Sequence, residues 1–419
     1  MSTSQRNGRN RLAVVHEWVA AYAGSEQVFE AIAGAFPDAD LVTLSYEPGV
    51  VLDLGGRTVR TTLLDRATLR NRRSLTLPLM AGAWRSLGAA QYDMVITSHH
   101  ALAHTNRLGE GGVHLVYVHS PARYIWSPEI DERGAPWYLG PMRAALRRVD
   151  VAASTRVTAY AANSSAVAER IQKYWGRDAI VIHPPVRVEF YGEPAQTPPT
   201  RDYVLGVGRW IPYKNLHLVI EAADIAGLPV KIAGRGPDKS RIVAAANAAR
   251  VPVEVIENPT DLELRELYRN ALCLVFPTVE DFGLVPVEAQ AAGTPVVAFA
   301  RGGALDTVID GGSGVLVDSL DPHELALGIE KAAGIWSDAA RKNAERFSRA
   351  AFARAVALDT VTDGGSGVLV DSLDPNELPL GIEKAAGTWS DAARKNAARF
   401  SRAAFTRAIQ EWAGSTWRS

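Results

Sequence analysis

The sequence predicts an α/β protein built from two doubly wound parallel-sheet domains. Three observations predict it: apolar strand-like runs alternate with helical patterns through the first half, prolines crowd the middle, and the alternation restarts at Asp202. Short apolar runs separated by helices argue for a parallel sheet covered on both faces.

In the first half, Leu12–His16, Asp40–Leu44, Met94–Thr97, His114–Val118, Val157–Ala161 and Ala179–His183 read as strands. Helical stretches such as Ser25–Ala35, Met142–Ala153 and Ser165–Trp175 separate them. Pro184, Pro185, Pro194, Pro198 and Pro199 then mark a linker over 185–201, which leaves 1–184 as the first domain. In the second domain, 202–356, the strand runs are Val204–Val207, Pro229–Ala233, Val253–Ile256, Cys273–Phe276, Pro295–Ala298 and Val315–Val317. A helix over Pro286–Ala292 is closed by Gly293. Two such domains are expected to face each other across a cleft.

The 419 residues are 47% apolar and 22% charged, an ordinary balance for a globular chain with an ample core. A net charge of −1 provides no global field for nucleic acid. The single cysteine, Cys273, lies in an apolar run and is expected to be a buried structural thiol. The polar N-terminus and the lack of a run of about 20 apolar residues point to a cytoplasmic protein.

Chemistry concentrates at residues 280–288, Glu-Asp-Phe-Gly-Leu-Val-Pro-Val-Glu. A strand ends at Pro277, a loop carries Glu280, a helix begins near Gly283, and Glu288 follows down that helix. The helix start, with the backbone N–H groups of Gly283, Leu284 and Val285, offers a positive dipole end to an anion. Glu280 and Glu288 beside it suit hydroxyl groups, so a ligand bearing both phosphate and polyol fits. Arg209 and Lys214 follow the strand Val204–Val207, where open α/β sheets place their ligands, and this pair suits a diphosphate. Taken singly, each of these segments also reads as an ordinary loop with solvated charges.

Together they resemble the family-four retaining glycosyltransferases, whose pattern has an Arg and a Lys after the first strand of the C-terminal domain, then two glutamates separated by seven residues. The first half matches through HEWVAAYAGSEQVFEAI (16–32), FPDADLVTLSYEP (36–48) and VHSPARYIWS (118–127), especially the branch of bacterial mannosyltransferases of O-antigen and exopolysaccharide assembly. The resemblance runs from about residue 11 to about 356. It implies the GT-B fold, with an acceptor-side first domain and a nucleotide-sugar-binding second domain. It also implies transfer of a hexosyl group, mannosyl as first guess, from a nucleotide diphosphate sugar such as GDP-mannose to a glycan or lipid-linked acceptor. No metal and no cofactor are expected. Glu280 and His119 are the implied catalytic residues; Arg209, Lys214, Gly283, Leu284, Val285, Glu288 and Gly24 are the implied donor contacts. Where the family has Gly-Gly in its first loop, this chain has Ala23-Gly24. Two other readings stay open: a sugar-nucleotide-binding protein without transferase activity, and a nucleotide-sugar epimerase of the same fold.

Residues 304–355 recur at 357–408 with six substitutions, one tandem duplication followed by the tail 409–419. One copy should be surplus to the fold. Thr362 for Ile309, Thr388 for Ile335 and Pro379 for Ala326 point to the second as peripheral.

Other features are weaker. His99 and His100 follow a strand and could line the acceptor side. Asp38-Ala39-Asp40 reads as a turn, and Gly234-Arg235-Gly236 lacks the third glycine of a dinucleotide fingerprint. Residues 57–85 hold seven arginines and one acid among leucines, Met80 and Trp84, a stretch that fits either peripheral contact with the inner membrane face or a surface helix with a core stripe.

Overall fold

The computed structural model describes residues 11–66, 73–87, 92–108, 112–127, 140–194, 197–335 and 337–348. Among them, two compact units divide the chain, one built from residues up to 162 with 170–182, the other from 163–169 with 183–348. The second copy of the duplication, 357–408, lies outside the described residues.

Unit 1 is a seven-stranded parallel sheet ordered β3-β2-β1-β4-β5-β6-β7. The strands are β1 (Leu12–Val19), β2 (Asp40–Tyr46), β3 (Val59–Thr61), β4 (Met94–His99), β5 (Val113–Val118), β6 (Ala159–Ala162) and β7 (Ile180–Val181). Successive residues of β1 feed opposite faces. Ala13 and Val15 join a core with Trp84 and Met80, whereas Val14 between them joins one with Phe29 and Ile32. Burial on both faces explains why Leu12–Val15, the first half of β1, reads as an unbroken apolar run.

Unit 2 is a six-stranded parallel sheet ordered β10-β9-β8-β11-β12-β13. Its strands are β8 (Tyr203–Arg209), β9 (Val230–Arg235), β10 (Val253–Glu257), β11 (Ala271–Phe276), β12 (Val296–Phe299) and β13 (Gly314–Val317). Helix Asp261–Asn270 begins with a capping box, in which Thr260 Oγ1 accepts from the Glu263 N–H and the Glu263 carboxylate accepts from the Thr260 N–H. The stretch expected as a linker is packed: Val186, Val188 and Tyr191 join the core of unit 2, and Val186 N–H donates to the Phe347 carbonyl at 3.1 Å.

Both sheets reverse their order of strand addition once, between β1 and β4 in unit 1 and between β8 and β11 in unit 2. Open α/β sheets bind ligands beyond the strand ends at such switch points. The sequence motifs fall there. Gly24 follows β1, His99 ends β4 and His100 follows it, Arg209 and Lys214 end and follow β8, and Glu280 and Gly283 follow β11.

Candidate active site

In unit 2 the loops after β8 and β11 are sewn together by short-range bonds. β8 runs out at Arg209, Pro212–Lys214 form one 3-10 turn, and Asn215 takes a left-handed conformation (φ 52°) before helix Leu216–Ala226. From that position Asn215 Nδ2 donates to the Pro277 carbonyl at 2.9 Å, and Thr278 Oγ1 donates to the Tyr213 carbonyl at 3.0 Å. These two bonds bring Lys214 to the second loop, where Nζ meets Glu280 Oε1 at 2.5 Å. The pair is largely sheltered, with 10% and 21% of the two side chains exposed. The Lys214 ammonium also lies 5.5 Å from the centre of the Phe276 ring. Arg209 is exposed, and Nη2 approaches the Tyr213 hydroxyl at 3.4 Å.

The helix after β11 is Leu284–Ala291, two residues earlier than the proline suggested. Pro286 falls in its first turn, where a missing N–H costs nothing. Gly283 (φ 89°) precedes it, and no side chain caps this end. The loop carrying Glu280 rests on Gly302 and Gly303. A Cβ at Gly303 would lie 2.2 Å from the Phe282 carbonyl oxygen, and one at Gly302 would lie 2.4 Å from that of Glu280. With no side chains in the way, Gly303 N–H donates to the Glu280 carbonyl at 2.9 Å. The sequence reading missed this glycine pair. By contrast, Gly234 and Gly236 pack against Gly208 and Trp210, which explains that Gly-x-Gly as close backbone packing.

Glu288 is already engaged. The Tyr268 hydroxyl donates to its Oε2 at 2.9 Å, and the Tyr191 hydroxyl is a second partner. Burial raises its carboxyl to about 7, against the lowering effects of Tyr268 and of Arg187. Arg187 is held by Asp261 at 2.9 Å. These tyrosines come from distant segments and carried no signal in the sequence.

In unit 1 Gly24 is the first residue of helix Gly24–Ala35, again without a side-chain cap. His119 follows β5, with its N–H donating to the His99 carbonyl at 2.8 Å. Its Nε2 lies 2.8 Å from Ser98 Oγ, which in turn lies 3.0 Å from His16 Nδ1. Glu17 is fully buried, accepts the N–H groups of His100, Ala101 and Ala103, and is raised to about 7 by that burial. It thereby fixes the loop after β4.

Several expectations need correction. His99 does not line a binding face: it is fully buried, with Nδ1 at 3.0 Å from His104 Nδ1 and its ring against Trp175. Adjacent strand residues point to opposite faces, and only His100 keeps partial exposure, against Trp18. Among the described residues, His99, His104 and Asp150 could each present one metal-ligand atom. The two nitrogens of His104 face different partners, however, His99 on one side and Asp150 on the other at 3.3 Å. Asp150 also accepts from the indoles of Trp126 and Trp175 at 2.7 Å each, so the arrangement is a buried hydrogen-bond chain. Within 57–85, Arg57 donates to the carbonyls of Ala33, Phe36 and Leu54, and Met80 and Trp84 are core. Those residues are committed internally, although Leu63 and Leu79 are exposed. Asp38 lies in the turn before β2, whereas Asp40 is the first residue of that strand and accepts from the Tyr92 hydroxyl at 2.6 Å. Cys273 is buried, its thiol pushed up to about 12 by burial.

Comparison with known proteins adds the family. Residues 22–190 match the model of Glycosyltransferase Family 4, and residues 189–354 match that of Glycosyl transferases group 1. Between them the two matches span residues 22–354, so each half of the chain is similar to a glycosyltransferase family model. Curated relatives include a D-inositol 3-phosphate glycosyltransferase of Mycolicibacterium smegmatis, 37% identical over 164 residues, covering 34% of this chain and 36% of that protein. Another, from Geodermatophilus obscurus, is 32% identical over 219 residues, covering 45% of this chain and 48% of that protein. The chain thus spans less than half the length of these relatives. Among solved structures, Anabaena Alr3699/HepE superposes with a TM-score of 0.62 at 19% identity, over 84% of this chain and 100% of that one. WaaG, described as a glycosyltransferase involved in lipopolysaccharide biosynthesis, gives 0.61 at 17% identity with the same coverage. The fold is GT-B, with two parallel α/β sheets.

Proposed function

We propose that this glycosyltransferase transfers a hexosyl group, with retention, from a nucleoside diphosphate sugar to a glycan or lipid-linked acceptor. One observation carries the reading: a lysine and a glutamate from two different loops meet 2.5 Å apart at the switch point of unit 2, beside an uncapped helix start. Lys214 and Arg209 would neutralise the departing diphosphate, helped by the N–H groups of Gly283, Leu284 and Val285. Glu280 would hold sugar hydroxyls and place negative charge near an oxocarbenium-like anomeric carbon. Glu288 would take the ribose hydroxyls in exchange for a tyrosine partner. Gly24 as a phosphate contact and His119 as a donor-sugar contact follow from the family resemblance. In this scheme protein cations balance the diphosphate and no metal ion is required.

Mannose is the first sugar to test, as GDP-mannose. The names of the curated relatives favour a second acceptor class, an inositol phosphate. Contact with an anionic membrane through 57–85 would rest on the residues there that are not committed to the core. A thermal-shift panel of GDP-, UDP-, TDP- and ADP-sugars tests the donor, because a ligand bound only to the native state raises its stability by mass action. No shift with any nucleoside diphosphate sugar would refute the reading. Product analysis without acceptor separates an epimerase, which needs none.

A further inference from the structure

Glu288 sits between two tyrosines with different commitments. Tyr268 comes from helix Asp261–Asn270 and is fully buried, and its hydroxyl donates to Glu288 Oε2 at 2.9 Å. Among the described residues that hydroxyl makes no other hydrogen bond. Thr294 Oγ1 donates to the Tyr268 carbonyl, which ties the end of this helix to the turn after helix Leu284–Ala291. Tyr191 is buried too, its ring edge-on to that of Tyr268 with the centres 5.6 Å apart. Its hydroxyl also meets Glu288, but it is shared, since Arg187 Nη2 lies 3.4 Å from it. Arg187 in turn bonds Asp261 at 2.9 Å. Those two side chains are 28% and 60% exposed, so this arm runs out to the surface, whereas Tyr268 is walled in. Glu288 keeps partial exposure, which leaves it open to a ligand.

A carboxylate accepts about four hydrogen bonds and donates none. The Tyr268 hydroxyl is therefore the donor to ionised Glu288, and breaking this bond would strand a fully buried donor. Tyr191 stands differently. Arg187 carries only donors, so it keeps the Tyr191 oxygen satisfied when the carboxylate takes another partner. Burial, Glu288 and Asp261 all raise the Tyr191 hydroxyl, with Arg187 opposing them, so a second carboxylate is at hand for its proton. An incoming diol can displace Tyr191 at small cost, but not Tyr268.

We propose that Tyr268 is a positioning residue that holds Glu288 in place throughout, and that Tyr191 is the partner Glu288 exchanges for the ribose hydroxyls of the donor. The Arg187–Asp261 pair receives Tyr191 when it lets go. This rests on the reading that Glu288 takes those hydroxyls. The two tyrosines should then respond oppositely to loss of the same atom.

The experiment is isothermal titration of the full chain with GDP, UDP and ADP, each beside its 2′-deoxy and 3′-deoxy counterparts, well above pH 7 where Glu288 is ionised. The readout is the Kd of the deoxy form divided by that of the ribo form. Both come from one protein, so a partly unfolded variant weakens both ligands alike. Tyr268→Phe should lower this ratio by roughly 3- to 10-fold, the equivalent of one neutral hydrogen bond. Tyr191→Phe removes the competitor and should raise it by a similar factor. A packing role alone would lower the melting temperature and leave the ratio unmoved. Loss of either hydroxyl raises the Glu288 carboxyl, so titration acts in one direction on both variants and cannot mimic opposite signs. A wild-type ratio in Tyr268→Phe, or anything but a rise in Tyr191→Phe, overturns the division between the tyrosines. Glu288→Gln separates that failure from failure of the underlying reading. An unchanged ratio in Glu288→Gln, or no binding of any of the three diphosphates to wild type, overturns the ribose contact and the proposal with it.

Discussion

Replacing Glu280 with glutamine separates the two tasks assigned to the loop after β11. In the free protein Lys214 Nζ contacts Glu280 Oε1 at 2.5 Å, so a diphosphate reaching Lys214 must compete with that carboxylate. The side chains are 10% and 21% exposed, between the surface regime, where a pair contributes up to about 1 kcal/mol, and the buried regime, where breaking one costs about 3–5 kcal/mol. An intermediate figure of about 1–2 kcal/mol means that releasing Lys214 should tighten binding of a nucleoside diphosphate by roughly 5- to 30-fold. Turnover should move the opposite way, falling by roughly 10²–10³ as charge near the anomeric carbon is lost. Lys214→Ala should weaken the same ligand and lower turnover together. Isothermal titration with the free nucleoside diphosphate, beside initial rates with the sugar donor, measures both. If Glu280→Gln weakens the diphosphate, or Lys214→Ala leaves it unchanged, the competition argument is wrong and the lysine serves the loop and not the ligand.

Gly303→Ala places a methyl 2.2 Å from the Phe282 carbonyl and should cost about 1–3 kcal/mol, read as a drop in melting temperature of several degrees, together with loss of transfer as the Glu280 loop is displaced. Asn343 is buried and donates to Gln290, the Thr307 carbonyl and Ser313, so Asn343→Ala should cost about 2–3 kcal/mol by urea unfolding. The matching Asn396→Ala in the second copy should change stability by less than about 0.5 kcal/mol if that copy is peripheral. His114, bonded to Thr97 at 2.9 Å, is lowered by burial from 6.5 to about 3. The unfolded state therefore binds its proton more readily, and this contribution to stability is present above pH 6.5 and lost as pH falls toward 3. His114→Gln should accordingly lose less stability than wild type between pH 7.5 and 5, by about 2 kcal/mol, at one pKa unit per about 1.4 kcal/mol. Parallel curves for the two proteins would show that His114 is not the titrating group.

The sheets were legible because parallel strands buried on both faces leave largely apolar runs, and among the described residues twelve of the thirteen strands overlap a stretch read as a strand from sequence. β3 escaped because Val59–Thr61 is three residues inside a basic stretch. The positions of Arg209, Lys214, Glu280 and Gly283 at strand ends were also legible, since a strand followed by a turn residue and a helix marks its own C-terminal edge. What those side chains touch was not. Nothing local announces that Tyr268 and Tyr191 bond Glu288, or that His99 turns inward while His100 stays partly exposed. These depend on register and packing between segments far apart in sequence. Ile309 illustrates the limit for the duplication. Thr362 for Ile309 counts against the second copy only where that side chain is buried, yet Ile309 is 48% exposed and the substitution has little energetic weight.

Three other positions distinguish the copies more firmly. Ala326 is 3% exposed and is the fifth residue of helix Pro322–Ala332, where Pro379 would remove a helical hydrogen bond and cost about 3 kcal/mol. The stronger constraint lies just before the repeat begins. The first copy is preceded by Gly302 and Gly303, which support the loop of Glu280 and Phe282, whereas the second is preceded by Ala355 and Val356. If the second copy filled the same place, chain continuity would put alanine and valine at those two positions, with Cβ atoms 2.4 and 2.2 Å from backbone oxygens. Overlap of that size cannot be relieved by a rotamer change, because the atoms met are main chain. The loop carrying Glu280 would have to lift, and the Gly303–Glu280 hydrogen bond would be lost with it. We therefore assign the first copy to the fold on the same contacts that support the proposed site. Gly302→Ala combined with Gly303→Val recreates the junction of the second copy in place of the first. It should destabilise unit 2 and abolish donor binding even though no proposed ligand contact has been altered.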